Sequence, residues 1–427
     1  MIDEASLGLE RFYTEGLPGI GGRLKKSPDD FVVDEISIRP QEVLSGNYVI
    51  ARVCHRNWEA NRLFRRLGSN LRIGRASVGF AGTKDGRSVA TQLMSFRAPI
   101  EAVTSLRIPD VKILEAYTSS RAIAIGDLIG NRFAVAVRDL EEERDARRIC
   151  HEIHEKLNET IGFPNFFGVQ RFGSIRPITH LVGRDLSRSD AESAVMRYIG
   201  NPMHNGSEGD EARDHLQQTR DFEKAMAEFP TKFTFERIII SHLAENPGDY
   251  IGALRRLPRN LVMMFVHAYQ SFMFNRILSE RLRRGLSIHE PVLGDLVLPL
   301  SKDGVPNHGD PIEVTEENIV KATRNAAEGK AFVSGALFGS ESVLASGEMG
   351  EIERRVIQDE GVSAKDFQIV GLREASSKGT RRELLAPVKD FDTIFENDAV
   401  TFKFALNKGC YATCLLREYM KADASAY

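Results

Sequence analysis

Apolar residues alternate in short runs over the first 140 residues, then recur at helical spacing through much of the middle of the chain. After Pro28-Asp29-Asp30, a turn signal, the run Phe31-Val32-Val33-Asp34-Glu35-Ile36 predicts a strand, and residues 48–53 predict another. The period then changes. Ala60, Leu63, Phe64 and Leu67 fall on one face of a helix with Asn57 as candidate N-cap and Gly68 as its close. Arg62, Arg65 and Arg66 share the opposite face, because residues three and four apart are neighbours on a helix. Residues 78–81 and 89–96 predict two extended segments flanking a loop at 82–87, and residues 111–117, 121–125 and 132–137 predict three more. A helix is expected over 141–160, with Ala146, Cys150, Ile153 and Leu157 on one face and Gly162 just beyond its end.

From about residue 170 to 370 helical spacing and longer polar loops dominate. Residues 261–284 form one long helical pattern, and Asn201-Pro202-Met203-His204-Asn205-Gly206-Ser207 reads as a surface loop. Residues 400–406 alternate as a strand again, followed by a turn at Asn407-Lys408-Gly409 and a segment over 411–420. Strands joined by short turns under a few helices imply an α+β fold with a largely antiparallel mixed sheet. Since the tail matches the first part better than the middle, a mainly helical domain is expected to be inserted into an α+β domain.

Composition narrows the class. At 427 residues two domains are the natural expectation, and 42% apolar with 27% charged residues suits a soluble globular protein. No apolar run approaches the roughly 20 residues that span a bilayer. Met1 to Glu10 carries three acidic residues and no basic one, unlike a signal peptide. Four cysteines do not suggest a disulfide scaffold, so a cytoplasmic protein is expected. The net charge of −3 conceals local bias. Between Arg52 and Arg87 nine basic residues face two acids, for +7, and between Arg255 and Arg284 seven arginines face Glu280, for +6. Such stretches attract phosphates locally, although a solvated arginine-rich face explains the charge equally well.

Two segments could carry chemistry. The loop Gly82-Thr83-Lys84-Asp85-Gly86-Arg87 places a carboxylate beside an ammonium in the most basic part of the chain. Pure phosphate binding gains nothing from a carboxylate, which suggests a task for Asp85, while the plain alternative is a hydrophilic hairpin turn built on Asp-Gly. In Asn165-Phe166-Phe167-Gly168-Val169-Gln170-Arg171-Phe172-Gly173 the three aromatics suit a seam between domains. Asn165, Gln170 and Arg171 would then hold backbone or phosphate groups. Other signals are weaker. Cys410 and Cys414, and Cys150-His151 with His154, lack a second pair at zinc spacing, so no metal site is expected. Gly79 to Lys84 fails the spacing of a phosphate-binding loop, no Ser/His/Asp arrangement stands out, and His180 and His267 lie in apolar surroundings as core histidines would.

Taken together, six motifs resemble the TruD family of pseudouridine synthases and run in family order from residue 25 to about 418. They are Lys25-Lys26-Ser27-Pro28-Asp29-Asp30-Phe31, the 82–92 segment Gly-Thr-Lys-Asp-Gly-Arg-Ser-Val-Ala-Thr-Gln, Gly130-Asn131-Arg132-Phe133, the 165–173 motif, Ala268-Tyr269-Gln270-Ser271-Phe272-Met273-Phe274-Asn275, and Gly409-Cys410-Tyr411-Ala412-Thr413. The resemblance implies a cofactor-free isomerisation of uridine in tRNA, at position 13. Asp85 would be the nucleophile and Lys84 its supporting neighbour. Lys25, Phe31, Asn131, Phe133 and Tyr411 would line the uridine site. Tyr411 departs from the phenylalanine of some members, and Gly86 from a basic residue. Arg62, Arg65, Arg66, Arg87 and Arg171 would hold the RNA backbone.

On this resemblance the catalytic domain spans 1–165 and 372–427, the inserted domain spans 166–371, and a V-shaped monomer with a basic cleft is expected. A stacked uridine must be flipped into the site for a carboxylate to reach it. Two rivals remain: an RNA-binding protein or chaperone that does no chemistry, and a base-modifying hydrolase or methyltransferase.

Overall fold

The computed structural model describes residues 3–140, 145–204, 206–301, 304–396 and 398–427. It divides into two compact units, one of residues 13–163 with 386–427 and one of residues 3–12 with 164–385. Residues 372–385 stay with the second unit because Thr380–Glu383 pairs with Ala331–Leu337 in that unit's own sheet.

A ten-stranded sheet forms the first unit. Across it lie Val111–Ser119, Tyr48–Arg56, Val89–Phe96, Phe31–Ser37, Leu128–Leu140, Ala399–Asn407, Leu385–Phe395 and Gly162–Pro164. Two short strands, Gly21–Arg23 and Val78–Phe80, pair with Leu128–Leu140 and Val89–Phe96. Phe31–Ser37 lies parallel to Val89–Phe96, made possible by the long crossover between them, and antiparallel to Leu128–Leu140. The pleat sends Phe31, Val33 and Glu35 to one face, opposite Val135, Phe133 and Asn131 respectively.

Helices cover this face at two places. Ala60–Asn70 buries Leu63, Phe64 and Leu67 against Val49, Ala51 and Val53. Further along, Tyr419 of Ala412–Met420 packs on Phe402, with 4.9 Å between ring centroids. Phe402 is opposite Val135, so it shares the face of Phe31 and Phe133. The stretch carrying Phe31, Glu35, Asn131 and Phe133 lies on the strands between those two covered regions.

Several local expectations need correction. Glu59, not Asn57, caps the first helix by accepting hydrogen bonds from the backbone N–H groups of Asn61 and Arg62. Asn57 instead takes a left-handed conformation and donates its N–H to the Ser88 carbonyl. Gly68 does not close that helix; it is buried inside it, and a Cβ there would come 3.1 Å from the Ile73 carbonyl oxygen. Residues 121–125 form no strand. Their backbone is held by side chains instead, with the N–H of Ile123 bonded to Ser95 Oγ and that of Ala124 to Asp127 Oδ2. The third helix runs from Ala146 to Asn158 behind an Asp145 cap, ending before Thr160; the acidic run at 141–143 lies outside the described residues.

The second unit combines helices with a four-stranded antiparallel sheet, ordered Ile312–Glu313, Leu296–Pro299, Ala331–Leu337 and Thr380–Glu383. Its axis is Arg259–Arg283, which buries Phe265, Val266, Tyr269, Met273, Phe274, Ile277 and Leu278. Helix Thr179–Ser187 packs against it at Gly183, where a Cβ would meet the Phe265 carbonyl oxygen at 2.0 Å. Among the described residues no helix is long and apolar enough to cross a membrane, and no group of three or more His, Cys, Asp or Glu could hold a metal ion.

Candidate active site

The loop at 82–87 joins Val78–Phe80 to Val89–Phe96, whose antiparallel pairing fixes both of its ends. Further bonds brace it. Ala81 O accepts from Gly126 N at 2.8 Å, Ser88 Oγ donates to the Asp85 carbonyl at 2.6 Å, and Arg87 Nη2 donates to Lys26 O at 2.8 Å. Asp85 faces outward with its side chain 43% exposed, and its Oδ2 accepts from Lys25 Nζ at 2.9 Å. Lys25 also sits over the Phe31 ring, 4.5 Å from the centroid. Phe31 meets Phe133 edge to face at 6.1 Å, and Phe133 stacks on Phe404 at 5.3 Å. A continuous path of contacts therefore runs from the carboxylate through the ammonium to two aromatic faces.

Lys84 does not support Asp85 directly. Its ammonium turns inward and donates to Glu35 Oε2 at 2.6 Å, and the two side chains are 5% and 0% exposed. Proximity in sequence suggested a shared task, but adjacent side chains on a tight loop can reach different partners. Asn131 stands opposite Glu35 in the register, and its Oδ1 is buried with no hydrogen-bond partner among the described residues. Tyr411 is half-buried as the N-cap of Ala412–Met420, four residues after Asn407, which pairs with Gly130 beside Asn131. Arg62, Arg65, Arg66 and Arg87 are exposed. The helix bearing the first three begins next to the loop, with Glu59 Cα 3.6 Å from where a Cβ on Gly86 would lie.

His55 lies on the same buried face, diagonal to Gln92 across the strands. Burial, reinforced by the Lys84 charge, pushes its imidazole down to about 4. In an unfolded chain it would titrate near 6.5. The folded state thus refuses a proton that the unfolded state accepts. Stability is full above pH 6.5 and is lost as pH falls from there through 4, by up to about 3 kcal/mol. Urea unfolding of the wild type and of His55→Leu between pH 7.5 and 4.5 should show a shallower acid loss in the variant; equal slopes would contradict this.

The TruD family model, described as tRNA pseudouridine synthase D, matches residues 7–419. The chain belongs to the TruD family. A relative from Methanococcoides burtonii named "Probable tRNA pseudouridine synthase D" is 39% identical over 98% of this chain and 97% of its own. One of the same name from Natronomonas pharaonis is 40% identical over 99% and 98%. The crystal structure of a TruD protein from Methanosarcina mazei superposes with a TM-score of 0.85, at 35% identity and full coverage of both chains.

Of the six TruD-like motifs, three converge on the constellation around Asp85, and two build the core of the second unit. Phe166, Phe167 and Phe172 are buried there. Asn275 Oδ1 accepts from Phe167 N at 2.8 Å, and its Nδ2 donates to Phe167 O and Leu7 O, both at 3.0 Å. Asn165 Nδ2 donates to the Glu383 carbonyl, and Arg171 Nε to Ser271 Oγ. These polar side chains fix backbone and neighbouring helix. Glu35 was missed by reading the sequence, although a signal existed: an acid on the apolar parity of Phe31 and Val33.

Proposed function

We propose that this TruD-family chain isomerises a uridine of tRNA, uridine 13, to pseudouridine. The reading is carried by one observation: an outward-facing carboxylate, Asp85, with Lys25 on one of its oxygens and Lys25 in turn over the ring of Phe31, next to Phe133. The reaction breaks the N1–C1′ glycosidic bond, turns the uracil and forms a C5–C1′ bond, while C5 gives up a proton and N1 takes one up. Its product is an isomer, so the overall balance needs no redox partner and no nucleotide energy source. Asp85 acts as the nucleophile, dividing one hard bond exchange into two easier ones.

The uridine enters by flipping out of its stack. Phe133 and Tyr411, both half-buried, supply aromatic surface in place of the lost stacking, with the buried Phe31 packed behind Phe133. The unsatisfied Oδ1 of Asn131 is an acceptor waiting for a donor. Uracil N3–H is such a donor and cytosine N3 is not, so a mispaired base leaves that acceptor buried and unmet. The exposed Arg62, Arg65, Arg66 and Arg87 hold the phosphate backbone without reading sequence, while Arg171 is engaged with Ser271. Residues 13–163 and 386–427 make the catalytic domain, and 164–385 the inserted domain that reads tRNA shape. Such a substrate fits a cytoplasmic, monomeric enzyme.

Incubation of the pure chain with unmodified tRNA transcript and a chelator, followed by mapping at nucleotide resolution, tests this. Pseudouridine at position 13 is expected; transcript bound but unmodified would favour a binding protein. For the stacking role, Phe133→Leu fills similar space without a planar face. It should weaken substrate binding about 30-fold, the middle of the roughly 1–3 kcal/mol range per stacked base. A KM equal to wild type would remove Phe133 from the site.

A further inference from the structure

Glu35 is an ion buried where ions are costly. Its side chain is 0% exposed, and among the described residues its charged partner is Lys84, itself 5% exposed. Desolvating such a pair gives back little or no stability relative to apolar side chains of the same volume, so its presence calls for a reason other than folding energy. Placement supplies one. Glu35 Oε2 accepts from Lys84 at 2.6 Å, while Oε1 accepts from Ser37 Oγ at 2.7 Å and, at a longer 3.4 Å, from Leu93 N. The carboxylate is thereby fixed by its own strand and by Val89–Phe96, and it fixes the ammonium in turn. Around it on the same face stand Asn131 directly opposite, Gln92 beside it, and His55 diagonal to Gln92.

We propose that Glu35 is a positioning residue for the reaction: by drawing Lys84 inward it sets the direction in which Asp85 leaves the loop. The inference rests on the proposed function. Lys84 and Asp85 are consecutive, so anchoring one side chain in a buried pair restricts where the next can point. The same strand carries Phe31, over whose ring sits Lys25, the partner of Asp85. Pairing with Glu35 also keeps the Lys84 ammonium off Asp85, leaving the Asp85 carboxylate to Lys25. His55, which feels the Lys84 charge, is kept neutral by burial, and Lys25 stays with Asp85.

The test separates packing from direction. In the double variant Glu35→Met with Lys84→Met, two flexible apolar chains fill the buried volume but specify no single loop direction. Thermal stability within a few degrees of wild type is expected, with tRNA affinity unchanged and kcat about 100-fold lower, the scale of a 1 Å misplacement. Hydrogen exchange of the amides at 82–88 should quicken. A stable double variant with wild-type kcat and wild-type loop exchange would overturn the proposal. Should the double variant not fold, Glu35→Gln serves, assayed below its melting temperature. A kcat loss at unchanged tRNA affinity supports the role, and kcat within about threefold of wild type overturns it. Failure of the wild type to form any pseudouridine would count against the proposed function alone, because loop exchange reads the tether without turnover.

Discussion

Asp85→Asn should bind tRNA as tightly as the wild type, or slightly more tightly, and form pseudouridine about 10⁴-fold more slowly. Asparagine has the same shape and keeps one oxygen to accept from Lys25, so the loop and its braces persist. What it lacks is the anionic electron pair that a nucleophile must share. Removing a negative charge near incoming phosphates also lowers repulsion, hence the direction expected for affinity. Filter binding and nucleotide-resolution mapping on one preparation measure both quantities. Turnover within tenfold of wild type would show that another group does the chemistry.

The largest loss of stability is expected far from that loop, in the second unit. Arg281 and Asp295 are both wholly buried and joined by two parallel bonds of 2.7 and 2.9 Å. Arg281 Nε donates to Ser287 O, and Asp295 Oδ2 also accepts from Val292 N, so each charge has further partners. Asp295→Ala strands a guanidinium with no route to water. A loss of about 3–5 kcal/mol follows from an uncompensated buried charge, seen as a melting point lower by roughly 10 °C in a unit of this size. Replacing both at once, Arg281→Met with Asp295→Leu, should recover most of it. If Asp295→Ala melts with the wild type, the pair is not desolvated as described.

Much of the fold was legible because periodicity is local. The alternation at Phe31-Val32-Val33-Asp34-Glu35-Ile36 and the spacing of Leu63, Phe64 and Leu67 each report a buried face within a few residues of chain. Caps were less so. Asn57 looks like the helix starter, yet Glu59 caps the helix, and the Asn57 N–H goes to the carbonyl of Ser88, thirty-one residues away. The segment 121–125 has strand-like residues, yet its backbone bonds to the side chains of Ser95 and Asp127.

For the site, the chain alone named Asp85, Lys25, Phe31, Asn131 and Phe133, since residue types in order along a sequence suffice to match a family's motifs. Which of them touch is a different matter. That Lys25, sixty residues upstream, holds the Asp85 carboxylate while the adjacent Lys84 turns away to Glu35 was decided by strand pairing. Ion pairs form between groups brought together by the sheet, and the strength of that contact does not depend on how many residues of chain separate them.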